Sequence, residues 1–363
     1  MLKKPEGDFP VNTVDEPGNS SVNENFKPTA SLEMLRLRSE LLQAVRTFFL
    51  QQGFWEVETP ILSHETIIDA HLEPCCVEWH GERLYLQTSP ELGMKRLLAA
   101  GADAVFQITR AFRAGECGSR HNMEFTMLEW YRVGDSYREQ MAFTEELVRF
   151  VGVQVAESCW FASAGQTWTA EDCRSFFSQP FERLSYDEAF KRYAGERVLG
   201  KQPEQLRELA ERHNVSLPEN WDEATVNDWL DLLLVELVEP HLGKDRPTLL
   251  YDYPAGQSML ATVSDSQPPV AQRFELYLKG LEICNGYNEL TDAQELETRL
   301  RAQQAERRRA GRLVPPLPLR FLAAHQAGLP PCSGVALGID RLLMATTGAE
   351  DIRQVTAFPF ALA

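Results

Sequence analysis

Residues 112–131, FRAGECGSRHNMEFTMLEWY, hold the densest chemistry in the chain. They read as strand, polar loop, strand. Arg113 ends the first strand. Phe125, Met127, Glu129 and Tyr131 follow with period two and share one face of the second. That face offers an aromatic plane, a carboxylate and a phenol, with a guanidinium nearby. The set suits an adenine ring, an ammonium group and a phosphate, although an amphipathic hairpin with a solvated tip has the same pattern. Residues 334–342, GVALGIDRL, add a second phrase: small residues alternate with apolar ones, then Asp340 and Arg341 open a helical run. Small residues admit a ligand close to the backbone, and an arginine can grip a phosphate bidentately. A third site lies around Lys279-Gly280, which reads as a two-residue hairpin turn between Phe274–Leu278 and Leu281–Ile283. In that register Tyr277 pairs with Glu282, and Glu275 becomes its diagonal neighbour at roughly 7–8 Å. Two such carboxylates either face solvent or share a cation, and Mg²⁺ carried by a triphosphate meets that demand.

The elements that must position these groups follow from periodicity. Leu32, Leu35, Leu42, Val45 and Phe49 recur at helical spacing from Ser31 to a stop at Gly53, after which Val57 and Pro60 belong to an extended segment. A short strand at 84–86 leads through Thr88-Ser89-Pro90 into a helix at Glu91, with Met94, Leu97 and Leu98 on its buried side. Residues 138–151 are helical, and 152–247 read as a mainly helical insertion. Strand signals return over 248–292. Residues 293–312 form a charged helix with a solvated face and no assigned chemistry. Residues 1–28, rich in Pro, Asn, Ser and Gly, read as a disordered tail before a single unit over 29–363. Antiparallel strands with helices around them predict an α+β domain. Neither a G-x-G-x-x-G fingerprint nor a Walker A loop is present.

Composition narrows the class. The chain of 363 residues is 44% hydrophobic and carries a formal charge of −17, the wrong sign for bulk nucleic-acid binding. Seven scattered cysteines without a C-x-x-C pair read as reduced thiols of the cytosol rather than a zinc site. The sequence has no apolar run long enough for a membrane span and no signal peptide.

Taken in order, residues 53–62 (GFWEVETPIL), 112–131 and 334–342 resemble motifs 1, 2 and 3 of class II aminoacyl-tRNA synthetases. Thr88-Ser89-Pro90-Glu91, His121-Asn122 with Glu124-Phe125-Thr126-Met127, and Asn285-Gly286-Tyr287-Asn288-Glu289-Leu290 resemble the lysine-specific branch. The resemblance covers roughly residues 31–361. It implies an antiparallel sheet flanked by helices, and ATP with Mg²⁺. A substrate carboxylate would attack the α-phosphorus and release pyrophosphate. Positioning and charge neutralisation dominate such chemistry, without a protein nucleophile.

By resemblance, Arg113 grips the α-phosphate and Arg341 the γ-phosphate. Phe125 stacks on adenine, with Asn122 near its edge. His121 belongs to the same loop and is not assigned as a general base. Glu116, Ile283 and Gly338 complete the ATP set, and Glu275 and Glu282 bind magnesium. Glu289 and Tyr131 hold the distal ammonium of a diamino acid, and Glu91 with Glu129 the other amine. Ser89, Pro90, Asn285, Tyr287 and Ala336 line the amino-acid pocket. Gly286 is read as a bulge that re-aims its strand.

Two positions depart from the usual pattern. Gly115 stands where motif 2 carries an acid, and whether Glu116 replaces it is left open. Ala336 replaces a glycine of motif 3, and its methyl would narrow the pocket. Only about 30 residues precede the first helix, too few for the β-barrel anticodon-binding domain of a lysyl-tRNA synthetase. The chain therefore resembles the stand-alone elongation factor P lysine ligase family. That family activates β-lysine and joins it to a lysine ε-amine of elongation factor P. The resemblance implies a cytoplasmic homodimer formed through motif 1, no stable tRNA binding and no membrane. A minimal lysyl-tRNA synthetase and a non-catalytic regulatory paralogue are the alternatives.

Overall fold

Helix α1 (Leu32–Gln51) starts where the Ser31 hydroxyl accepts from the Met34 N–H at 3.1 Å. Its buried stripe is Met34, Leu37, Leu41, Val45, Phe48 and Phe49. Of the positions read from periodicity, Val45 and Phe49 are in this stripe, Leu35 and Leu42 are partly buried against the same core, and Leu32 is exposed. The computed structural model describes residues 26–363 apart from 166, 219, 220, 222 and 223, so the tail assigned to 1–28 lies almost wholly outside the described residues.

Beyond α1 come β1 (Trp55–Glu56), β2 (Leu62–Ser63), β3 (Cys76–Trp79), β4 (Glu82–Leu86) and α2 (Glu91–Ala99). The long hairpin β5 (Ala104–Phe112) and β6 (Glu124–Val133) follows, then α3 (Tyr137–Glu157). The stretch 152–247 contains α4 (Ala170–Ser178), β7 (Glu182–Ser185), α5 (Tyr186–Tyr193), α6 (Pro203–Arg212) and α7 (Val226–Leu233). Next are β8 (Thr248–Pro254), β9 (Val270–Leu278), β10 (Leu281–Asn288), α8 (Ala293–Arg309), α9 (Leu319–Gly328), β11 (Cys332–Gly338) and α10 (Ile339–Thr347).

Eight strands form one sheet in the order β1-β5-β6-β11-β10-β9-β8-β7. All neighbours are antiparallel except the outer pairs β1–β5 and β7–β8. Strand β7 thus ties the 152–247 segment into the sheet itself. Alternation gives the sheet two faces. Leu128, Trp130, Leu276, Val335 and Leu337 turn to a core shared with α1, α3 and α10. Met127, Glu129, Tyr131, Glu275 and Ala336 turn to the other side, where they line a cavity of about 900 Å³.

Candidate active site

The 279–280 turn has φ +52° at Lys279 and +74° at Gly280, as a type I′ hairpin requires. Leu278 pairs with Leu281 and Tyr277 with Glu282, as read from sequence. The register then shifts between Glu282 and Cys284, so that Glu275 lies opposite Asn285 and Tyr287 opposite Arg273. The extra residue is Ile283. This bulge lets Glu282, Asn285 and Tyr287 face the cavity together; strict alternation would put Glu282 and Asn285 on opposite sides. The expected bulge at Gly286 is not there. A Cβ at Gly286 would meet the Phe274 ring at 2.4 Å, so packing explains that glycine. Ile283 itself is buried in the core and also borders the cavity, its carbonyl lying 3.9 Å from where a Cβ on Gly338 would stand.

Arg113 and Arg341 reach one end of the cavity from the β5–β6 loop and from the first turn of α10. The Arg113 guanidinium lies 5.1 Å from the Phe125 ring centre, and its Nε is buried without an acceptor. Gly115 adopts φ +82°, a left-handed turn position, and Glu116 approaches Arg113 at 3.8 Å. A carboxylate thus stands beside Arg113 one residue later in the chain. Arg341 donates from Nη1 to the Glu282 carbonyl at 3.0 Å, and its Nη2 lies 2.6 Å from His121 Nε2. Guanidinium has no acceptor, so Nε2 of His121 accepts and is unprotonated. Burial and the Arg341 charge hold this imidazole below its ordinary value. Asp340 anchors the start of α10: it accepts from the Thr126 N–H at 2.7 Å and pairs with Arg38 Nη1 at 2.7 Å. Asn122 borders the cavity, but its amide is engaged within the protein. It donates to the Glu124 carbonyl at 2.6 Å and accepts from the Phe360 N–H at 3.0 Å.

Glu275 and Glu282 occupy the floor between these arginines and the opposite end. Glu275 is buried and accepts from Tyr253 Oη at 2.5 Å and Tyr277 Oη at 2.7 Å, with Arg273 paired to its other oxygen. Glu282 is more open, with Arg341 Nη1 at 3.5 Å from its carboxylate. Its seat in the cavity and the Glu275 charge raise its carboxyl above the ordinary range.

The opposite end holds the amino-acid candidates. Glu91 opens α2, Glu129 and Tyr131 stand on β6, Glu289 follows β10, and Ala336 lies in register between Glu129 and Asn285. Ser89 Oγ accepts from the Glu91 N–H at 3.3 Å, with Pro90 capping α2. Gly334 matters through its missing side chain: a Cβ there would stand 2.2 Å from the Tyr131 ring and 2.7 Å from Glu289 Oε1. The space that sequence reasoning gave to a ligand at this glycine is filled by those two side chains. Tyr131 donates to Glu129 Oε1 at 2.6 Å. Burial, followed by the Glu91 charge, pushes Glu129 up to about 8.

The class II description of tRNA synthetases (D, K and N) matches residues 25–361. The chain belongs to this class II synthetase family. It is 44% identical to "Elongation factor P--(R)-beta-lysine ligase" of Klebsiella pneumoniae strain 342, over 92% of this chain and 97% of that protein. Proteins of the same name from Vibrio vulnificus (40% identity, 93% and 99% covered) and Proteus mirabilis (41%, 92% and 97%) are also similar. The α+β class II core expected from the motifs is thus established.

Within this class II core, three charged residues escaped the sequence reading. Lys95 is buried with Nζ 2.5 Å from Glu91 and 2.6 Å from Glu289. The distal-ammonium position assigned to Glu289 and Tyr131 therefore already has an internal cation on one side. Arg307, on the helix given no chemistry, is buried and donates to the Asp69 and Leu72 carbonyls at 2.7 Å each; Glu73 pairs with it at 2.6 Å. It clamps α8 to the cavity wall. Arg38 holds Asp340 across 302 positions of sequence. The only hint for Lys95 is its i,i+4 spacing from Glu91; nothing local marks the other two.

Proposed function

We propose that the protein uses ATP to activate (R)-β-lysine or lysine as an aminoacyl-adenylate and transfers the aminoacyl group to the ε-amine of a lysine on elongation factor P. The observation that carries this reading is one cavity with arginines and a stacking ring at one end and three carboxylates with a phenol at the other. In the first step a substrate carboxylate oxygen bonds to the α-phosphorus, and the bond to pyrophosphate breaks. In the second, the acceptor amine bonds to the acyl carbon, AMP leaves, and the amine loses a proton. Arg113, with its unpartnered Nε, holds the α-phosphate. Arg341 leaves His121 for the γ-phosphate. Phe125 stacks on adenine, supported by Asn122, Glu116, Ile283 and Gly338.

The residues also fit magnesium brought by ATP. Mg²⁺ is held by one or two carboxylates plus phosphates and keeps several waters. Glu282 is open enough to ligate it, and Glu275 supports the site while bound to Arg273. Among the described residues no group of three His, Cys, Asp or Glu side chains is set for a protein-only metal site. Magnesium supplies charge neutralisation on the triphosphate; the arginines position it.

Glu91, Glu129, Tyr131 and Glu289 receive the amino groups, with Ser89, Pro90, Asn285, Tyr287 and Ala336 shaping the pocket. Leu50, Trp55, Ile61 and Leu62, exposed around motif 1, support a homodimer through that region. Free thiols at all seven cysteines suit the cytoplasm, and no described helix is long and apolar enough to cross a membrane. We further read residues 29–363 as one catalytic unit with an insertion at about 152–247.

Amino-acid-dependent ATP–pyrophosphate exchange tests the reading. Exchange with β-lysine or α-lysine, and none with norleucine, is expected. Exchange independent of a side-chain amine would contradict it.

A further inference from the structure

The carboxylate end of the cavity contains its own ammonium. Lys95 has 1% of its side chain exposed and lies between Glu91 on its own helix and Glu289 beyond β10. The Tyr131 and Phe321 rings enclose it at 5.8 and 5.9 Å. Its two anionic partners hold its pKa far above the lysine range despite burial, so it stays charged. Glu129, unlike Glu91 and Glu289, has no ion-pair partner among the described residues. Oε1 accepts from Tyr131, while Oε2 is buried with no hydrogen-bond partner. An ionised carboxylate with a bare buried oxygen is expensive.

We propose that Lys95 is a built-in counter-ion that satisfies Glu91 and Glu289, and that Glu129, drawn by its Tyr131 bond to the distal-ammonium end and away from the other amine, carries a proton in the empty pocket and loses it to solvent when the distal ammonium of a diamino acid arrives. The inference rests on the lysine-activating reading above. The exchange is balanced: a neutral carboxyl and a substrate ammonium become a carboxylate–ammonium pair plus one proton in water.

The groups facing Glu129 agree with this. On α2 stand Glu91, which raises its pKa, and Lys95, which lowers it; Glu289 raises it from beyond β10. Tyr131 on β6 is a neutral donor, its phenol raised by burial. Gln107 lies opposite on β5 and Ala336 on β11, neither of them titratable. Around Lys95 and Glu289, burial lowers the His325 imidazole on α9 and pushes the Cys332 thiol up to about 12, so both are neutral at pH 7. Tyr287, raised by burial, is neutral too. Burial leads the upward shift of Glu129 to about 8, which favours its neutral form at pH 7.

Binding calorimetry of α-lysine and β-lysine at pH 7, in two buffers of different ionisation heat, counts the protons released. The wild type should release close to one proton more per diamino acid than Glu129→Gln, and norleucine should release none. Equal counts in wild type and Glu129→Gln, or the same release with norleucine, would overturn the proposal while leaving lysine recognition standing. Absence of binding by either diamino acid would remove the underlying reading and this inference with it. Lys95→Met should raise the count, because Glu289, whose carboxyl burial already pushes up, then loses the cation that opposes that shift; an unchanged count in the folded variant would refute the role of Lys95. If Lys95→Met does not fold, the comparison with Glu129→Gln still decides the matter.

Discussion

Gly334→Ala should damage lysine use far more than ATP binding. The added Cβ would lie 2.2 Å from Tyr131 Cε1, 2.3 Å from Cδ1 and 2.7 Å from Glu289 Oε1. Ordinary carbon contacts fall at about 3.5–4.0 Å, so the ring must retreat by about 1.3 Å or more. Tyr131 is buried and its hydroxyl is bonded to Glu129 at 2.6 Å, so that retreat breaks or bends the bond. Overpacking of this kind typically costs roughly 1–3 kcal/mol of stability. A misplacement of about 1 Å in a positioning group costs on the order of 10²-fold in rate, or about 2.7 kcal/mol. Lysine-dependent pyrophosphate exchange measures the loss as kcat/KM for lysine. The KM for ATP should stay near its wild-type value, because Arg113, Arg341 and Phe125 lie at the other end of the cavity. Denaturant unfolding confirms that the variant is folded. A folded Gly334→Ala enzyme with wild-type kcat/KM for lysine would refute the assignment of Tyr131 and Glu289 to the ammonium.

Five further outcomes rest on the same geometry. Arg113→Ala and Arg341→Ala should each lower adenylate formation by about 10²–10³-fold or more with the fold retained, as checked by single-turnover exchange and circular dichroism. Glu282→Gln should raise the magnesium concentration needed for half-maximal activity. Glu275→Gln should mainly cost stability, about 1.5–3 kcal/mol, since it weakens the tie to Arg273 and two tyrosines; magnesium titration and denaturant melts separate the two. Ala336→Gly should favour α-lysine over β-lysine by roughly 1–3 kcal/mol in the ratio of kcat/KM, and an unchanged ratio would dismiss the methyl as the selector. His121 is depressed below 6.5, so its neutral form is favoured in the folded state. Stability linked to it should be fully present above 6.5 and lost as pH falls through the lower folded value. The stability difference between wild type and His121→Asn, followed by denaturant melts from pH 8 downward, should shrink as the pH falls below 6.5, and a pH-independent difference would refute the linkage.

Much of the site was legible because it is local. Period two placed Phe125, Met127, Glu129 and Tyr131 on one face, and two residues of turn chemistry set the 278–281 register. The bulge at Ile283 was not legible: an isoleucine carries no turn signal, and the displaced register becomes visible only when β9 and β10 pair. On α1 Val45 and Phe49 were legible, whereas Leu32 mimics the apolar face from an exposed neighbouring position. Lys95, Arg307 and Arg38 look like surface charges in sequence. Their placement depends on partners up to 302 positions away, and no local pattern encodes that.

The central claim is that a diamino acid activated in this cavity passes to a lysine of a protein. Intact-mass analysis of elongation factor P, incubated with the enzyme, ATP, magnesium and β-lysine or α-lysine, tests it most directly. A gain of one lysyl residue on a single lysine side chain, dependent on ATP and lost in Arg341→Ala, is the predicted result. An unmodified factor in the presence of active pyrophosphate exchange, with the lysyl group found on tRNA instead, would contradict it.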